Sequence, residues 1–497
     1  MLKNIYYTAI VLFTLIGSFS GCKKDLGNYD YQPINEVNFG GIEKSYTAEI
    51  GKPFVINPVL KFTKDENDTA QYTYEWYALT KDYSVLPKDQ RKNLAKTKNL
   101  NVLITIASGQ YQVFYNVTDK KTGITFTKSF DLQVSSEVYE GWMVLNDING
   151  TARLDMVNQN LNVIKDVLKT TGSNLTLTGK PLDIYCYPWN PSTYGIYVTT
   201  DKLTTKIDPE TFSWKNTLAI AYEFASNVSS DLHVDFIKAA DEEVSYVNTQ
   251  GNYYYYFYTW SRNYSVPINI VRGENKVFPA SPFIATVTSD YPAGAILFDK
   301  EKQRFVRHVN GESSCALMPD QPLFDYNKTG MDLVFMDNTS YNGGEAFAIL
   351  KNQLTSKYYL ARINPGDGYK QNYYQEMLAT DIDKAEQFAI NPDFGYIFYN
   401  VGSKIYEYDM FNKTSKLMID KGTDKISLIK FQQVFKPSTV GVSNKLVVCS
   451  YSLASPTDSG KMELYKVPNL NADLSLTGAY TGFGKIVSVS YRERPKN

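Results

Sequence analysis

Short runs in which apolar and polar residues alternate recur along the whole chain. In residues 72–77 a period of two places Tyr72, Tyr74 and Trp76 on one side of the run. Residues 110–117 alternate in the same way. Side chains two positions apart share one face of a β-strand, and a period near 3.6 would be needed for a helix. Because turn formers separate these runs, the pattern predicts an all-β protein of short strands.

Four strand signals in the first part of the chain predict a compact β-module. They fall at residues 52–58, 72–77, 110–117 and 125–130. A tryptophan on one strand facing a tyrosine-rich partner strand is typical of an immunoglobulin-like sandwich, and the cysteine pair of antibody domains is absent. We therefore predict a sandwich over residues 34–137, with Trp76 in its core.

A longer repeat begins at about residue 138. An apolar strand that ends in Asp or Asn before a turn recurs roughly every 45–60 residues, with one doubled interval in which Gly251 marks the missing turn. The repeated residues are Asp155, Asp208, Asp299, Asn364 and Asp409. About seven such units fit into residues 138–497, which predicts a seven-bladed β-propeller. Two stacked sandwiches are the competing architecture.

The last strand signal stands apart from these units. Residues 485–491 form an apolar run after Gly484. Open sheet edges invite aggregation, and a ring of blades removes them when its last strand joins its first blade. We therefore expect residues 485–491 to pair with the strand around residues 142–145.

Length and charge narrow the possible functions. A chain of 497 residues is too long for one core, so two or three domains are expected. The formal net charge of -1 gives no general attraction to nucleic acid or anionic lipid, so neither is a predicted partner. Only two histidines and no closely spaced cysteine pair are present, so we predict no metal site. Cys186 and Cys449 lie in apolar runs and are expected to be buried.

The amino terminus has the pattern of an export signal. Lys3 precedes an apolar run over residues 5–16, which is too short for a span of ~20 residues across a bilayer. Small residues then lead to Cys22, and residues 19–22 look like a lipobox. We predict a signal peptide over residues 1–21, acylation of Cys22 and a polar tether over residues 22–33. Several acyl chains would anchor the protein stably in a membrane.

The densest aromatic stretch of the chain is the candidate binding surface. If residues 251–260 form one strand, alternate side chains point to opposite sides. One side would face the core between blades, and the other would be free to stack on a ligand. The predicted ligand-binding residues are Tyr254, Tyr256, Tyr258 and Trp260. Burial of both sides between neighbouring blades remains the alternative.

No residue pattern points to catalysis. Paired carboxylates could hydrolyse a glycoside at a propeller axis. The available carboxylates are not distinguished by spacing: Asp147, Asp155, Asp183, Asp235, Asp241, Glu243 and Asp332. Nucleophile-elbow, phosphate-loop and zinc-protease motifs are absent from the sequence. We therefore predict no catalytic residues, no cofactor and no enzyme activity.

Three stretches resemble the PKD-like lipoprotein family of Bacteroidota: residues 22–30, the first module, and residues 141–156 with Gly-Trp-Met-Val-Leu and Leu-Asp-Met. Residues 23–25, Lys-Lys-Asp, are similar to the signal that sends lipoproteins of this phylum to the outer face of the outer membrane.

This resemblance implies a lipid-anchored protein of the outer membrane that faces the cell exterior. It implies a non-catalytic binding or accessory role beside a TonB-dependent transporter of the starch-utilisation type and its lipoprotein lid. A glycan or a peptide would be the ligand. A propeller glycoside hydrolase or lyase, and a structural or adhesive surface protein, are the alternatives.

Cys22→Ser should prevent acylation and release the protein from the membrane fraction, because the thiol that carries the lipid is gone. Fractionation and immunoblotting would measure this release. Unchanged membrane retention of the variant would contradict the prediction.

Overall fold

The computed structural model describes residues 35–64, 69–81, 87–188, 190, 193–309, 311–435 and 440–494. The predicted signal peptide, Cys22 and the tether lie outside these residues. The fold is all-β, as predicted. The chain divides into two compact units, the first ending at Gln133 and the second made mostly of Val134–Asn497.

The first unit contains a five-stranded sheet and two short strand pairs. The large sheet has the order β2-β9-β8-β5-β6, and the pairs are β1-β4 and β3-β7. The strands are β1 Val37–Gly40, β2 Ser45–Glu49, β3 Pro53–Ile56, β4 Val59–Phe62, β5 Tyr72–Thr80, β6 Arg91–Ala95, β7 Leu100–Leu103, β8 Gly109–Asp119 and β9 Thr125–Ser135. The four predicted strand signals correspond to β3, β5, β8 and β9.

Trp76 organises the core of this unit. It is completely buried on β5, opposite Tyr115 of β8. The two rings stack with their centroids 3.9 Å apart. The indole Nε1 donates a hydrogen bond to the carbonyl oxygen of Thr97 at 2.8 Å, so its one polar atom keeps a partner after burial. The predicted core position of Trp76 is confirmed.

The second unit consists, in its described residues, of seven antiparallel sheets that follow one another along the chain. We number them sheets 1 to 7. Sheet 1 contains β10 Gly141–Ile148, β11 Thr151–Asn158, β12 Val163–Ile164 and β35 Lys485–Arg492; sheet 2 contains β13 Pro181–Cys186, β14 Ile196–Thr200 and β15 Thr204–Ile207; sheet 3 contains β16 Phe236–Ala239, β17 Val244–Thr249 and β18 Asn252–Phe257.

The remaining four sheets have four strands each. Sheet 4 contains β19 Ala285–Val287, β20 Gly294–Asp299, β21 Arg304–His308 and β22 Ala316–Leu317; sheet 5 contains β23 Asp332–Thr339, β24 Glu345–Lys351, β25 Tyr358–Asn364 and β26 Lys370–Glu376; sheet 6 contains β27 Gln387–Ile390, β28 Ile397–Val401, β29 Lys404–Asp409 and β30 Thr414–Asp420; sheet 7 contains β31 Lys425–Lys430, β32 Lys445–Tyr451, β33 Gly460–Lys466 and β34 Ser475–Phe483.

Helices in the described residues are only three or four residues long. The α-helical turns are α1 Pro87–Gln90, α2 Val167–Thr170 and α3 Val440–Ser443. The 3₁₀ turns are Thr69–Gln71, Asn216–Leu218, Ile220–Glu223, Tyr341–Gly343, Pro365–Asp367 and Ile382–Lys384. Within the part of the chain that is described, none of these helices has the length and apolar content of a membrane span.

Each sheet packs on the next through a buried apolar cluster. The cluster between sheets 1 and 2, for example, contains Leu145 and Ile184, and the cluster between sheets 4 and 5 contains Phe298 and Ala348. The series returns to its start, because another cluster joins Trp142 of sheet 1 to residues of sheet 7 such as Val447. Hydrogen bonds hold each sheet together, and apolar burial holds the sheets to one another. This arrangement is propeller-like.

Strand β35 brings the end of the chain back to sheet 1. It pairs antiparallel with β10, with Trp142 opposite Tyr491 and Val144 opposite Val489. The Trp142 and Tyr491 rings meet edge to face at 5.2 Å. The predicted pairing of the last strand with residues 142–145 is confirmed.

The predicted repeat of Asp and Asn residues is partly confirmed. Asp208 follows the third strand of sheet 2, and Asp409 ends the third strand of sheet 6. The carboxylate of each accepts two backbone N–H groups of its own turn at 2.8–3.2 Å. One assignment was wrong, because Asp155 lies inside β11 and pairs with Arg153 at 2.6 Å. Asp299 ends β20, and its carboxylate accepts the backbone N–H groups of Glu301 and Lys302 at 3.0 and 3.2 Å, so its turn position is confirmed. An acid after an apolar residue suits both a turn and a buried ion pair, so sequence did not separate them.

The three cysteines of the described residues are buried and free. The expected burial of Cys186 and Cys449 is therefore confirmed. They lie in the clusters between sheets 1 and 2 and between sheets 7 and 1. Their role there is that of small apolar side chains.

A buried carboxylate without a hydrogen-bond partner lies on β29. Glu407 is 1% exposed, and both of its carboxylate oxygens lack hydrogen bonds. It stands between Phe398 on β28 and Lys416 on β30. Burial raises the pKa of Glu407 to about 7, against the opposing effect of Lys416 and with a smaller contribution from Asp409.

Val489→Ala should lower the free energy of unfolding of the second unit by about 2 kcal/mol, because two buried methyl groups are lost and a cavity remains. Val489 is completely buried, whereas Val487 on the same strand is half-buried. Val487→Ala is the matched control and should cost less than about 1 kcal/mol. Urea unfolding would measure both. Equal costs would contradict the closing role of β35.

Glu407→Gln should remove a pH dependence of stability. The folded state binds the proton of Glu407 more tightly than the unfolded chain, whose ordinary pKa is 4.5. Stability is therefore greatest below that value and declines until the pH passes about 7. The decline attributable to Glu407 should be about 3 kcal/mol.

Urea unfolding at several pH values would show a flatter profile for Glu407→Gln than for the wild type. Glu301, which is 52% exposed and pairs with Lys276, supplies the control variant Glu301→Gln. The same pH profile in the wild type and in Glu407→Gln would contradict the assignment.

Candidate functional site

The predicted aromatic surface does not form as one strand face. Strand β18 ends at Phe257, so Tyr258 and Trp260 lie in the turn that follows. The backbones of Phe257 and Arg262 exchange two hydrogen bonds of 2.8 and 3.0 Å, which fold residues 258–261 into this turn. The expectation of a strand through Trp260 was therefore wrong. The residues of this run all favour a strand, so the sequence did not indicate the hydrogen bonds between Phe257 and Arg262 that end β18.

Both faces of β18 take part in packing between sheets. Tyr253, Tyr255 and Phe257 are buried between sheets 3 and 4, as the core side was predicted to be. On the opposite side Tyr254 contacts Phe224 at 5.2 Å, and Tyr256 contacts Tyr264 at 5.4 Å between ring centroids. Tyr254 and Tyr256 are half-buried there.

Tyr258 and Trp260 are the exposed members of the predicted set. They are 39% and 51% exposed, and the guanidinium of Arg262 lies 5.1 Å from the Trp260 ring centroid. A ligand-binding role for the four aromatic residues remains a prediction.

A cavity of about 920 Å³ lies among the first strands of sheets 2 to 7. We call it the central cavity. The inner strands alternate, with one side chain in the cavity and the next in an apolar cluster between sheets. The residues that face the cavity in this way include Asp183 and Tyr185 of β13, Phe236 and Lys238 of β16, and Phe335 and Asp337 of β23.

An ion pair crosses the cavity wall between sheets 3 and 5. The Lys238 ammonium donates to the Asp337 carboxylate and also to the carbonyl oxygen of Ile284, 3.0 Å away and next to sheet 4. The Lys238 side chain is 16% exposed and that of Asp337 is 44% exposed. Lys238 therefore links three neighbouring sheets, while Asp337 keeps part of its carboxylate open to the cavity.

A second pair of charges depends on strand β35. Ser488 donates a hydrogen bond to Asp183 at 2.6 Å, and the Lys430 ammonium donates to the carbonyl oxygen of Val489 at 2.8 Å. Burial raises the pKa of Asp183 and lowers the pKa of Lys430, and each opposes the other's shift by its charge. The closing strand thus positions one acid and one base in the central cavity.

Two of the seven carboxylates singled out in the sequence, Asp183 and Asp241, line the central cavity. Asp241 accepts hydrogen bonds from the backbone N–H groups of Glu243 and Val244 at 2.8 and 2.7 Å. Asp147 and Asp332 lie elsewhere, in contacts with Gly150 and with Gln303 and Gln353.

Sequence reasoning missed Lys238, Lys430, Asp337 and Glu345. A usable signal was present, since Phe-Ile-Lys at residues 236–238 and Phe-Met-Asp at residues 335–337 each place a ring and a charge on the same strand face. Glu345 also lines the cavity and pairs with Arg362 at 2.7 Å. The sequence did not show which strand of each sheet would line the cavity.

Among the residues that the structure describes, no group of three or more His, Cys, Asp or Glu side chains is placed to hold a metal ion. The residues that line the central cavity supply charge pairs, hydroxyl and amide groups, and aromatic rings. These groups can bind a polar organic ligand by hydrogen bonds and ring contacts.

Three of the solved structures that match this chain are the following. A quinonprotein alcohol dehydrogenase-like protein of Bacteroides thetaiotaomicron is 11% identical, with a TM-score of 0.41 and coverage of 92% of this chain and 96% of that chain. The extracellular domain of a putative one component system of B. thetaiotaomicron is 9% identical, with a TM-score of 0.39 and coverage of 83% and 62%. Dipeptidyl peptidase 4 of Porphyromonas gingivalis is 9% identical, with a TM-score of 0.37 and coverage of 71% and 55%.

No curated protein matches the chain. The PKD-like family model matches residues 22–181. This segment contains the first unit and strands β10 to β12 of sheet 1. The resemblance to the PKD-like family that the sequence predicted is thereby confirmed for residues 22–181, the segment that the family model matches.

Proposed function

We propose that this protein is a lipid-anchored binding protein on the outer face of the outer membrane. Its second unit is a seven-bladed β-propeller, and the central cavity takes up a soluble glycan or peptide. The protein serves, without catalysis, as an accessory to a TonB-dependent uptake system of the starch-utilisation type.

The central cavity is the observation that carries the proposal. Its volume of about 920 Å³ lies in the range of ligand pockets in proteins. Seven sheets in chain order, with β35 in the first, support the propeller assignment. The match of residues 22–181 to the PKD-like family and the predicted acylation of Cys22 support the surface location.

The chemistry of the cavity suits a polar organic ligand. Phe236, Phe335 and Phe388 contribute rings to its wall, and rings pack well on the apolar faces of sugars and on peptide side chains. Asp337 leaves part of its carboxylate open, so it can accept hydrogen bonds from ligand hydroxyl or amide groups.

Three carboxylates that line the cavity already make a hydrogen bond or an ion pair within the protein. Asp183 is hydrogen-bonded to Ser488, Asp337 pairs with Lys238, and Glu345 pairs with Arg362. These contacts favour a binding role, since an acid or base for hydrolysis must be available to the scissile bond.

A thermal-shift panel of soluble oligosaccharides and peptides tests the cavity. A ligand of the cavity should raise the melting temperature, because it binds only the folded state. Asp337→Asn should reduce this shift strongly, and Asp383→Asn, an exposed acid in the 3₁₀ turn Ile382–Lys384, should leave it unchanged. No shift with any member of the panel, or equal shifts in both variants, would contradict cavity binding.

A pull-down from native outer membranes tests the accessory role. A TonB-dependent transporter and its lipoprotein lid should co-purify with the tagged wild type. Cys22→Ser serves as the control, since it should not reach the membrane. Enrichment of no transporter over this control would contradict the proposal.

A further inference from the structure

A second pocket opens beside the central cavity. It has a volume of about 490 Å³ and lies among loops of sheets 5, 6 and 7. We call it the side pocket. Asp393, in the turn between β27 and β28, lines both the side pocket and the central cavity, so the two adjoin. Four aromatic side chains form much of the lining: Tyr341, Phe394, Tyr396 and Phe411.

Asp409 holds the polar side of the pocket in place. Its Oδ1 accepts the backbone N–H groups of Phe411 and Asn412 at 2.8 and 3.2 Å. Its Oδ2 accepts the side-chain amides of Asn412 and Asn471 at 2.7 and 2.8 Å. This carboxylate therefore ties the loop after β29 to the loop before β34 and fixes the Phe411 segment.

Two acceptors among the lining residues lack hydrogen-bond partners in the described part of the chain. The Asp393 carboxylate is exposed and makes no hydrogen bond or ion pair with the residues that the structure describes. The Asn471 Oδ1 atom is buried and has no hydrogen-bond partner in the same part of the chain. Asp393 is therefore the acceptor that a ligand in the pocket can reach, and its charge makes a hydrogen bond to it stronger than one to a neutral group.

A further carboxylate lies behind the aromatic wall. Glu407 and Asp409 share one face of β29, being two residues apart. Burial raises the pKa of Tyr396, a hydrogen bond from the Asn471 backbone opposes this, and the charges of Asp409 and Glu407 raise the pKa further. Glu407 lacks a hydrogen-bond partner.

The lining contains no Lys, Arg or His among the described residues. The basic groups nearby already have partners. Arg362 lies 4.9 Å from the Tyr341 ring centroid and pairs with Glu345, and Lys416 donates to the Asn471 carbonyl and to Asp473. An anion would therefore meet carboxylates in this pocket without a free positive charge to compensate.

We propose that the side pocket binds an organic ammonium group, such as that of an alkylamine. The ring faces attract a cation through their quadrupoles. The Asp393 carboxylate supplies the opposite charge and accepts an N–H bond from the ammonium group. The inference stands on the side pocket alone and does not depend on ligand binding in the central cavity.

The test uses n-butylammonium chloride as the probe and n-butanol as its neutral counterpart, titrated into the full chain and followed by NMR. Butylammonium should bind and butanol should bind at least about threefold more weakly, as expected when a charge interaction and a cation–π contact are lost. Added salt should weaken butylammonium binding, because Asp393 is exposed.

Two matched pairs of variants locate the site. Asp393→Asn and Phe411→Ala should each weaken butylammonium binding about threefold to fivefold. Asp383→Asn and Tyr222→Ala change an exposed acid and an exposed aromatic residue outside the pocket, and both should bind as the wild type does. Absence of butylammonium binding, equal binding of butanol, or equal effects of the control variants would overturn the proposal.

Discussion

The pairing of β35 with β10 is the constraint on which the second unit depends. It places the end of the chain in the sheet where the unit begins, with Val489 opposite Val144. The apolar cluster between sheets 7 and 1 includes Ile486 and Val489, so the same strand joins the last sheet to the first. Both sheets would otherwise expose backbone groups and apolar side chains to water.

The same strand also shapes the central cavity. Ser488 orients Asp183, and the Val489 carbonyl accepts a hydrogen bond from Lys430. Across the cavity, Lys238 and Asp337 join sheets 3 and 5. Opposite charges in a partly enclosed space stabilise one another more than they would in water. The strand that joins the last sheet to the first therefore also contacts two of the charged side chains that line the cavity.

Aromatic side chains serve as core or as surface residues according to whether their backbone lies in a strand or in a turn. The aromatic run of residues 252–260 divides between two clusters and an exposed turn, because β18 ends at Phe257. The side pocket collects its rings from loops far apart in the chain, among them Tyr341 and Phe411. A dense aromatic run was therefore a weaker indicator of a surface pocket than aromatic residues scattered among successive loops.

The sequence by itself determined the all-β class, the buried Trp76, the turn positions of Asp208 and Asp409, and the return of residues 485–491 to sheet 1. These features follow from local alternation, turn chemistry and the need to cover strand edges. Only the tertiary structure decided which charges meet. Asp183 and Lys430 come from different sheets, and their proximity depends on how the sheets are packed, which no local pattern encodes.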